Sequence, residues 1–191
     1  MTDNGYAIKG MYRDILSRPD GSVTFDSGWH SNTIVKRCRI LIAGFMKNDT
    51  ALGIQYLQVG QDNGSWDGNP PPPDPAATQG LTSACPDRPI TVIPAAPISG
   101  QQYLEMLYLD ASGKPAGAGV MTNILQIKAI LVPGYPAPTQ SNTYYPLREF
   151  GLFGQFGLSG TSEPYMINCV RHPVIYKDKT ATLVREIKLT F

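Results

Sequence analysis

The sequence predicts an α+β domain: a mainly antiparallel sheet or sandwich with one long helix, about residues 33–47, packed on it. Three observations lead there. Only one stretch, SNTIVKRCRILIAGFMKND, repeats apolar residues at helical spacing. Several short runs instead alternate, or are apolar on both phases, and are rich in β-branched and aromatic residues. Glycine (19) and proline (17) are abundant, while charged residues make up only 16%. That balance favours short strands joined by turns over a helical bundle.

In chain order, residues 12–17 alternate weakly and meet RPDG, followed by VTFDSGW. Pro19, Asp20 and Gly21 suit a type I turn with glycine at the positive-φ position, which predicts a hairpin over about 11–29. Ser31 or Asn32 is placed to cap the helix. Ile34, Cys38, Leu41, Ile42 and Phe45 form its apolar stripe, with Lys36, Arg37 and Arg39 mostly off that stripe. Those three cations read as a solvated face, or as a docking face for an acidic partner. Lys47 and Gly53 mark the helix end.

IQYLQV predicts a strand at 54–59. It is closed by GQDNGSWDGNPPPPDP, whose four prolines, Pro70–Pro73, cannot pair in a sheet. Because strands resume afterwards, the chain reads as one domain, 1–191, with a Pro-rich surface excursion at about 61–80. RPITVIP is flanked by prolines and suits an edge. QYLEMLYLD is apolar on both phases and predicts a strand covered on two sides. TNILQIKAILV puts Leu125, Ile127, Ala129 and Leu131 on one face. YPLREFGLF follows a turn-rich stretch, and the last residues read as two strands around YKDKT. In the final strand Leu183, Ile187, Leu189 and Phe191 share a phase. The expected total is roughly eight strands.

A chain of 191 residues, 42% hydrophobic, is long enough to bury a core and too apolar to be disordered. The net charge of +1 shows no electrostatic footprint for nucleic acid. The start, MTDNGYAIKG, lacks the basic and apolar regions of a signal peptide, and no window reaches the ~18 apolar residues of a membrane span. These features predict assembly in a cytoplasm, with neither a nucleic-acid nor a membrane partner. Cys38, Cys85 and Cys169 are widely spaced without a CxxC pair. They predict neither a disulfide framework nor a zinc site, and Cys38 and Cys169 read as buried thiols.

Motifs for chemistry are sparse. The two histidines, His30 and His172, stand without GxSxG, HExxH or HxH. GLFGQFGLSG lacks the lysine and following helix that phosphate binding needs. Asp62, Asp67 and Asp74 could gather around calcium, but no glutamate closes that loop. Glu105 and Glu149 are the carboxylates a glycosidase reading would use. The expectation is no catalytic, cofactor-binding or metal-binding residue.

The segment YPLREFGLFG poses the sharpest question. Arg148 shares a phase with Phe150 and Leu152, and Glu149 with Leu147, so one charge must face a packed surface or an interface. A buried charge is costly unless paired. A structural ion pair and a pairing across subunits both answer this. Glycines that allow close backbone approach, and the aromatics Phe150, Phe153 and Phe156, suit a contact between chains. The interface candidates are therefore Arg148, Glu149, Phe150, Phe153, Phe156 and Trp66. For Trp66 the alternative is anchoring of the loop onto its own domain.

The order of elements then resembles structural proteins of tailed-phage particles and related contractile tails. The resemblance rests on Gly28, Asn32 and Ile34 ahead of a helix; a Tyr56–Gly60 strand; a Glu149–Phe153 strand; and a closing Lys179–Phe191 strand. It spans most of the chain through short, degenerate motifs. It implies a tail-fibre adaptor, collar or baseplate-associated protein that works as a homo-oligomer among other virion components, located in the virion. The end at Phe191, without a shaft, points within that group to an adaptor, neck or baseplate piece. A glycan-binding tip, stacking Trp66, Tyr135, Tyr144 and Tyr145 on a host-surface glycan, is the alternative. The assembly reading expects more apolar strand faces than one copy can shelter.

Overall fold

The computed structural model describes residues 8–49, 51–61, 64–85, 90–91, 103–138, 143–157 and 163–191. Its frame is a single antiparallel sheet. The strands are β1 (Lys9–Ser17), β2 (Val23–Asp26), β3 (His30–Ile34), β4 (Ala51–Gly60), β5 (Ile90–Thr91), β6 (Tyr103–Tyr108), β7 (Ile124–Leu131), β8 (Tyr144–Phe156), β9 (Glu163–Asp178) and β10 (Thr182–Thr190). The spatial order is β5-β4-β8-β9-β3-β1-β10-β7-β6, with β2 hanging off β1. The two end strands, β5 and β6, come into contact, so the sheet curls into a nearly closed barrel. Closure shields most backbone edges that an open sheet would leave unpaired.

The hairpin is present: the Arg18 N–H donates to Ser22, the Gly21 N–H donates back to Arg18, and Gly21 takes φ 84°. The helix differs from the expectation. It is one short helix, α1 (Lys36–Met46), not a long one from residue 33. Ser31 and Asn32 do not cap it. Residues 30–32 pair with β1, and Thr33 and Ile34 pair with β9. A ladder on both sides satisfies that backbone better than a capping turn does, so the helix starts only once the ladder ends. Val35 stands at the N-cap with no side-chain bond, and the Lys36 N–H donates instead to the Pro75 carbonyl at 2.8 Å. Gly53, expected as a helix end, lies inside β4.

β5 is an edge strand as expected; the rest of RPITVIP lies outside the described residues. β6, expected to be covered on two sides, is the other edge, and only Leu104 of it is buried. β9 runs unbroken through His172 and Pro173. It absorbs them as a bulge, because Leu147 faces Ile175 while Glu149 already faces Arg171. Such extra residues bend a strand and re-aim its side chains.

The main core fills the barrel. It joins Ile127, Leu183 and Ile187 from one half to Leu57, Phe150 and Leu152 from the other, with Leu41 of α1 packed in. A smaller core lies on the far face of β8 and β9, around Phe153, Met166, Cys169 and Val35. β8 is therefore covered on both faces by its own chain. The glycines of GLFG serve that packing. A Cβ on Gly154 would lie 2.5 Å from Leu41 Cδ2 and within 2.8 Å of the Leu52 and Gly53 carbonyl oxygens. Leu41 could turn away; the two carbonyls are backbone and cannot.

Gly154→Ala is expected to destabilise the fold by roughly 1–3 kcal/mol in urea unfolding, as overpacking does. Leu41→Ala in the same chain is expected not to restore it, because the backbone oxygens still obstruct.

Candidate interaction surface

Five of the six sequence-predicted interface residues are buried, and the sixth, Phe156, is half-buried. Arg148 lies almost wholly inside. Its Nε donates to Asp67 Oδ1 at 2.5 Å and its Nη1 to the Gln61 carbonyl at 2.6 Å. Glu149 is fully buried on the opposite phase and accepts the N–H groups of Thr82 (3.1 Å) and Ser83 (2.8 Å). The two charges do not pair with each other. They clip the two ends of the Pro-rich excursion to β8. Between them, Trp66 is buried under the Arg171 guanidinium, 4.5 Å from the ring centroid, and Arg171 Nη1 donates to the Pro71 carbonyl.

Phe150 is buried in the barrel core; Phe153 is buried in the smaller core, stacked on Tyr56 at 5.1 Å. Phe156 is half-buried against Tyr165 and lies over Gly44 of α1. Within the single chain all six hold its own elements together, which is the alternative the sequence left open for the charge pair and for Trp66. The loop they fix explains why. A long irregular excursion carries many backbone polar groups, and two buried charges aimed at its ends satisfy several at once.

Two further expectations resolve similarly. Asp67 is taken by Arg148, and Asp74 accepts the N–H groups of Ala76 and Ala77. Asp62 lies outside the described residues. Among the described residues no group of His, Cys, Asp and Glu could hold a metal ion. Glu105 is exposed on β6, which does not neighbour β8 in the sheet, and Glu149 is committed to its loop. Cys38 and Cys169 are buried; burial pushes their thiols up to about 11 and about 12.

Sequence reasoning missed a polar cluster inside the barrel. Asp14 and Arg185 face each other across the β1–β10 ladder, and both are fully buried. Arg185 donates through Nε to Asp14 Oδ1 (2.6 Å) and through Nη2 to Asp14 Oδ2 (2.9 Å). Its Nη2 also lies 2.9 Å from His172 Nε2, and its guanidinium sits 3.8 Å from the Phe150 ring centroid. Arginine nitrogen can only donate, so His172 Nε2 accepts; its proton is then on Nδ1, which donates to the Pro173 carbonyl at 2.8 Å. Burial, then the Arg185 charge, hold the imidazole down to about 4, against the pull of Asp14. The signal was in the sequence: Arg185 shares its phase with Leu183 and Ile187, and Asp14 shares the phase of Tyr12.

Two groups of exposed apolar residues stand out. At the end where α1 meets β6 and β10 there is an open cavity of about 340 Å³. Leu41, Ile42 and Phe45 of α1 form one wall; Met106 and Tyr108 of β6 and Phe191 after β10 form the other. No charged side chain lines it. Of its lining, Phe45, Met106, Tyr108 and Phe191 are exposed, and Met46, next to Phe45 in the chain, is 82% exposed. Exposed apolar surface gathered about one concavity marks a contact site more than scattered surface leucines do. At the other end, β2 exposes Val23 and Phe25.

No protein-family model, curated protein or solved structure matched the chain. Among the described residues no helix is long and apolar enough to cross a membrane.

Two outcomes follow from the buried cluster. Arg185→Met is expected to cost roughly 3–5 kcal/mol in denaturant unfolding, since Asp14 stays buried without its partner, whereas Asp14→Leu with Arg185→Met should recover most of that. The His172 pKa in the folded chain lies below its ordinary 6.5, so its contribution to stability is complete above about 6.5 and declines as pH falls toward 4. Unfolding midpoints between pH 7 and 4 should show that decline, and His172→Gln should flatten it.

Proposed function

We propose that the chain is a structural protein of a phage or phage-like particle, an adaptor or connector in the tail, neck or baseplate that assembles with itself and with neighbouring components. The observation that carries this is the apolar mouth of the barrel. Its concavity opens among the exposed Phe45, Met106, Tyr108 and Phe191 side chains at one end of the barrel. Leaving such surface in water is unfavourable by about 25 cal/mol per Å², and a neighbouring chain removes that term. The resemblance of the Gly28–Ile34, Tyr56–Gly60, Glu149–Phe153 and Lys179–Phe191 segments to tail-particle proteins supplies the context.

The surface proposed for assembly is thus not the one the sequence pointed to. The β8 segment serves the chain's own fold, and the mouth is the open surface. The glycan reading loses its main anchors, because Trp66, Tyr135 and Tyr145 are buried. Tyr144 is exposed, edge-on to Tyr176 at 4.7 Å, and no further exposed ring of that set accompanies it.

Light scattering at micromolar concentration is expected to show a defined multimer, or co-assembly with the other tail components of the same particle through interfaces of roughly 1,200 Å² or more. A chain that stays monomeric both alone and with those components overturns the reading.

A further inference from the structure

The cations of α1 stand against the helix's own dipole. Lys36, Arg37 and Arg39 crowd its first residues, where the helix end is already positive and an acidic side chain would be favourable. No acidic residue stands in that turn, and Val35 caps it without a side-chain bond. Arg37 is committed within the chain: its guanidinium lies 4.2 Å from the Tyr165 ring centroid, and its Nη2 is 4.0 Å from Glu163 Oε2. Lys36 and Arg39, three residues apart, share one side of the helix and are both exposed.

That side borders a gap in the sheet. The β1–β3 ladder stops at Gly10 opposite Asn32. One residue later β3 passes to β9, with Thr33 opposite Cys169. The Val35 N–H donates to the Ile167 carbonyl, so Thr33 and Val35 turn their backbone groups toward β9. Ile34, between them, turns its own the other way. β1 meanwhile stays paired with β10 out to Lys9. Beyond Gly10 and Asn32 the two strands therefore part. The opening is a cavity of about 390 Å³ between the start of β1 and the end of β3, with Arg39 and Pro75 at its side. A second cavity of about 260 Å³ is lined by Lys36 and Ala76, and it shares Ile34, Arg39 and Pro75 with the first. The two form one groove.

Three cations, Lys9, Lys36 and Arg39, line this groove, and no carboxylate does. Among the described residues none of the three forms an ion pair. Asn32 lines the groove too. Its side chain occupies the space left free by Gly10, where a Cβ would lie 1.8 Å from Asn32 Oδ1. Both of its amide atoms are buried without a partner. Folded chains rarely leave such capacity unused.

We infer that this groove binds an extended acidic segment of another protein. Carboxylates set against Lys9, Lys36 and Arg39 relieve the crowding of positive charge at the head of α1. A chain lying along the gap meets the backbone groups of Ile34 in the way an added strand meets a free edge. Ile8, Met11, Ile34, Pro75 and Ala76 leave apolar ground between the cations, which suits a segment whose acidic and apolar side chains alternate. Nucleic acid fits less well. No aromatic ring lines the groove for a base to stack on, and three cations on a chain of net charge +1 match few phosphates. The groove shares no lining residue with the apolar mouth, so this contact does not depend on self-assembly there.

Fluorescence anisotropy with a labelled peptide of about eight residues, alternating glutamate and valine, tests the contact. The full chain is expected to bind it with a Kd of roughly 10–100 μM at low salt, and more weakly as salt rises. Arg39→Glu and Lys36→Glu should each weaken binding by about tenfold or more. Lys114→Glu changes the net charge equally at an exposed cation outside the groove and should leave binding unchanged. A valine–glutamine peptide of the same length should not bind. Amide hydrogen exchange at Ile34 should slow in the complex. A glutamate–valine peptide that does not bind overturns the contact, as does one that Lys114→Glu weakens as much as Arg39→Glu does. A labelled oligothymidylate of the same length that binds more tightly than the peptide replaces the acidic segment with a nucleic acid and overturns it too. Unchanged exchange at Ile34 removes the strand-like placement and with it the groove as the binding site.

Discussion

The bidentate pair of Asp14 and Arg185 is the constraint around which the barrel is arranged. Two charges placed opposite each other on β1 and β10, with no exposed surface, fix the register of that ladder, because a slip of β10 by one residue would turn Arg185 outward, with Leu183, Ile187 and Leu189, and leave Asp14 buried without its partner. The guanidinium then reaches across the interior. It donates to His172 of β9 and lies over Phe150 of β8, so the two halves of the sheet are tied by a polar contact as well as by packing. The bulge at His172–Val174 is what turns the imidazole inward. A well-packed apolar core of the same volume stabilises as much; a paired charge specifies one arrangement, and its price is that each member depends on the others.

The outside of the same wall obeys the same logic with a different result. Arg148 and Glu149 point to opposite sides of β8's surroundings, and each is satisfied by backbone groups of the Pro-rich excursion rather than by the other. Arg171 adds a contact over the Trp66 ring, and Pro73 is buried. A segment that cannot form strands is thereby held in place against β8 and β9. The strand that looked most open to a partner is consequently the most enclosed. The exposed apolar surface moves to the barrel's ends, where α1 stops short of closing one opening and β2 extends beyond its neighbours at the other.

The sequence by itself determined the class of the fold and most of its units. Period-two runs placed β7, β8, β9 and β10, the RPDG turn placed the first hairpin, and the face of Ile127, Ala129 and Leu131 follows directly from alternation, which depends only on neighbouring residues. Local pattern also held what was overlooked, the shared phase of Arg185 with Leu183 and Ile187. Tertiary structure alone decided the rest. Ser31 and Asn32 became strand rather than cap because two partners, β1 and β9, arrived from distant sequence. Met106 and Tyr108 became exposed because β6 ended at an edge. Arg148 and Glu149 became buried because the excursion folded back over them, and Trp66 because it met Arg171 of β9. Each depends on which surfaces meet, a matter of long-range packing free energy that no window of neighbouring residues contains.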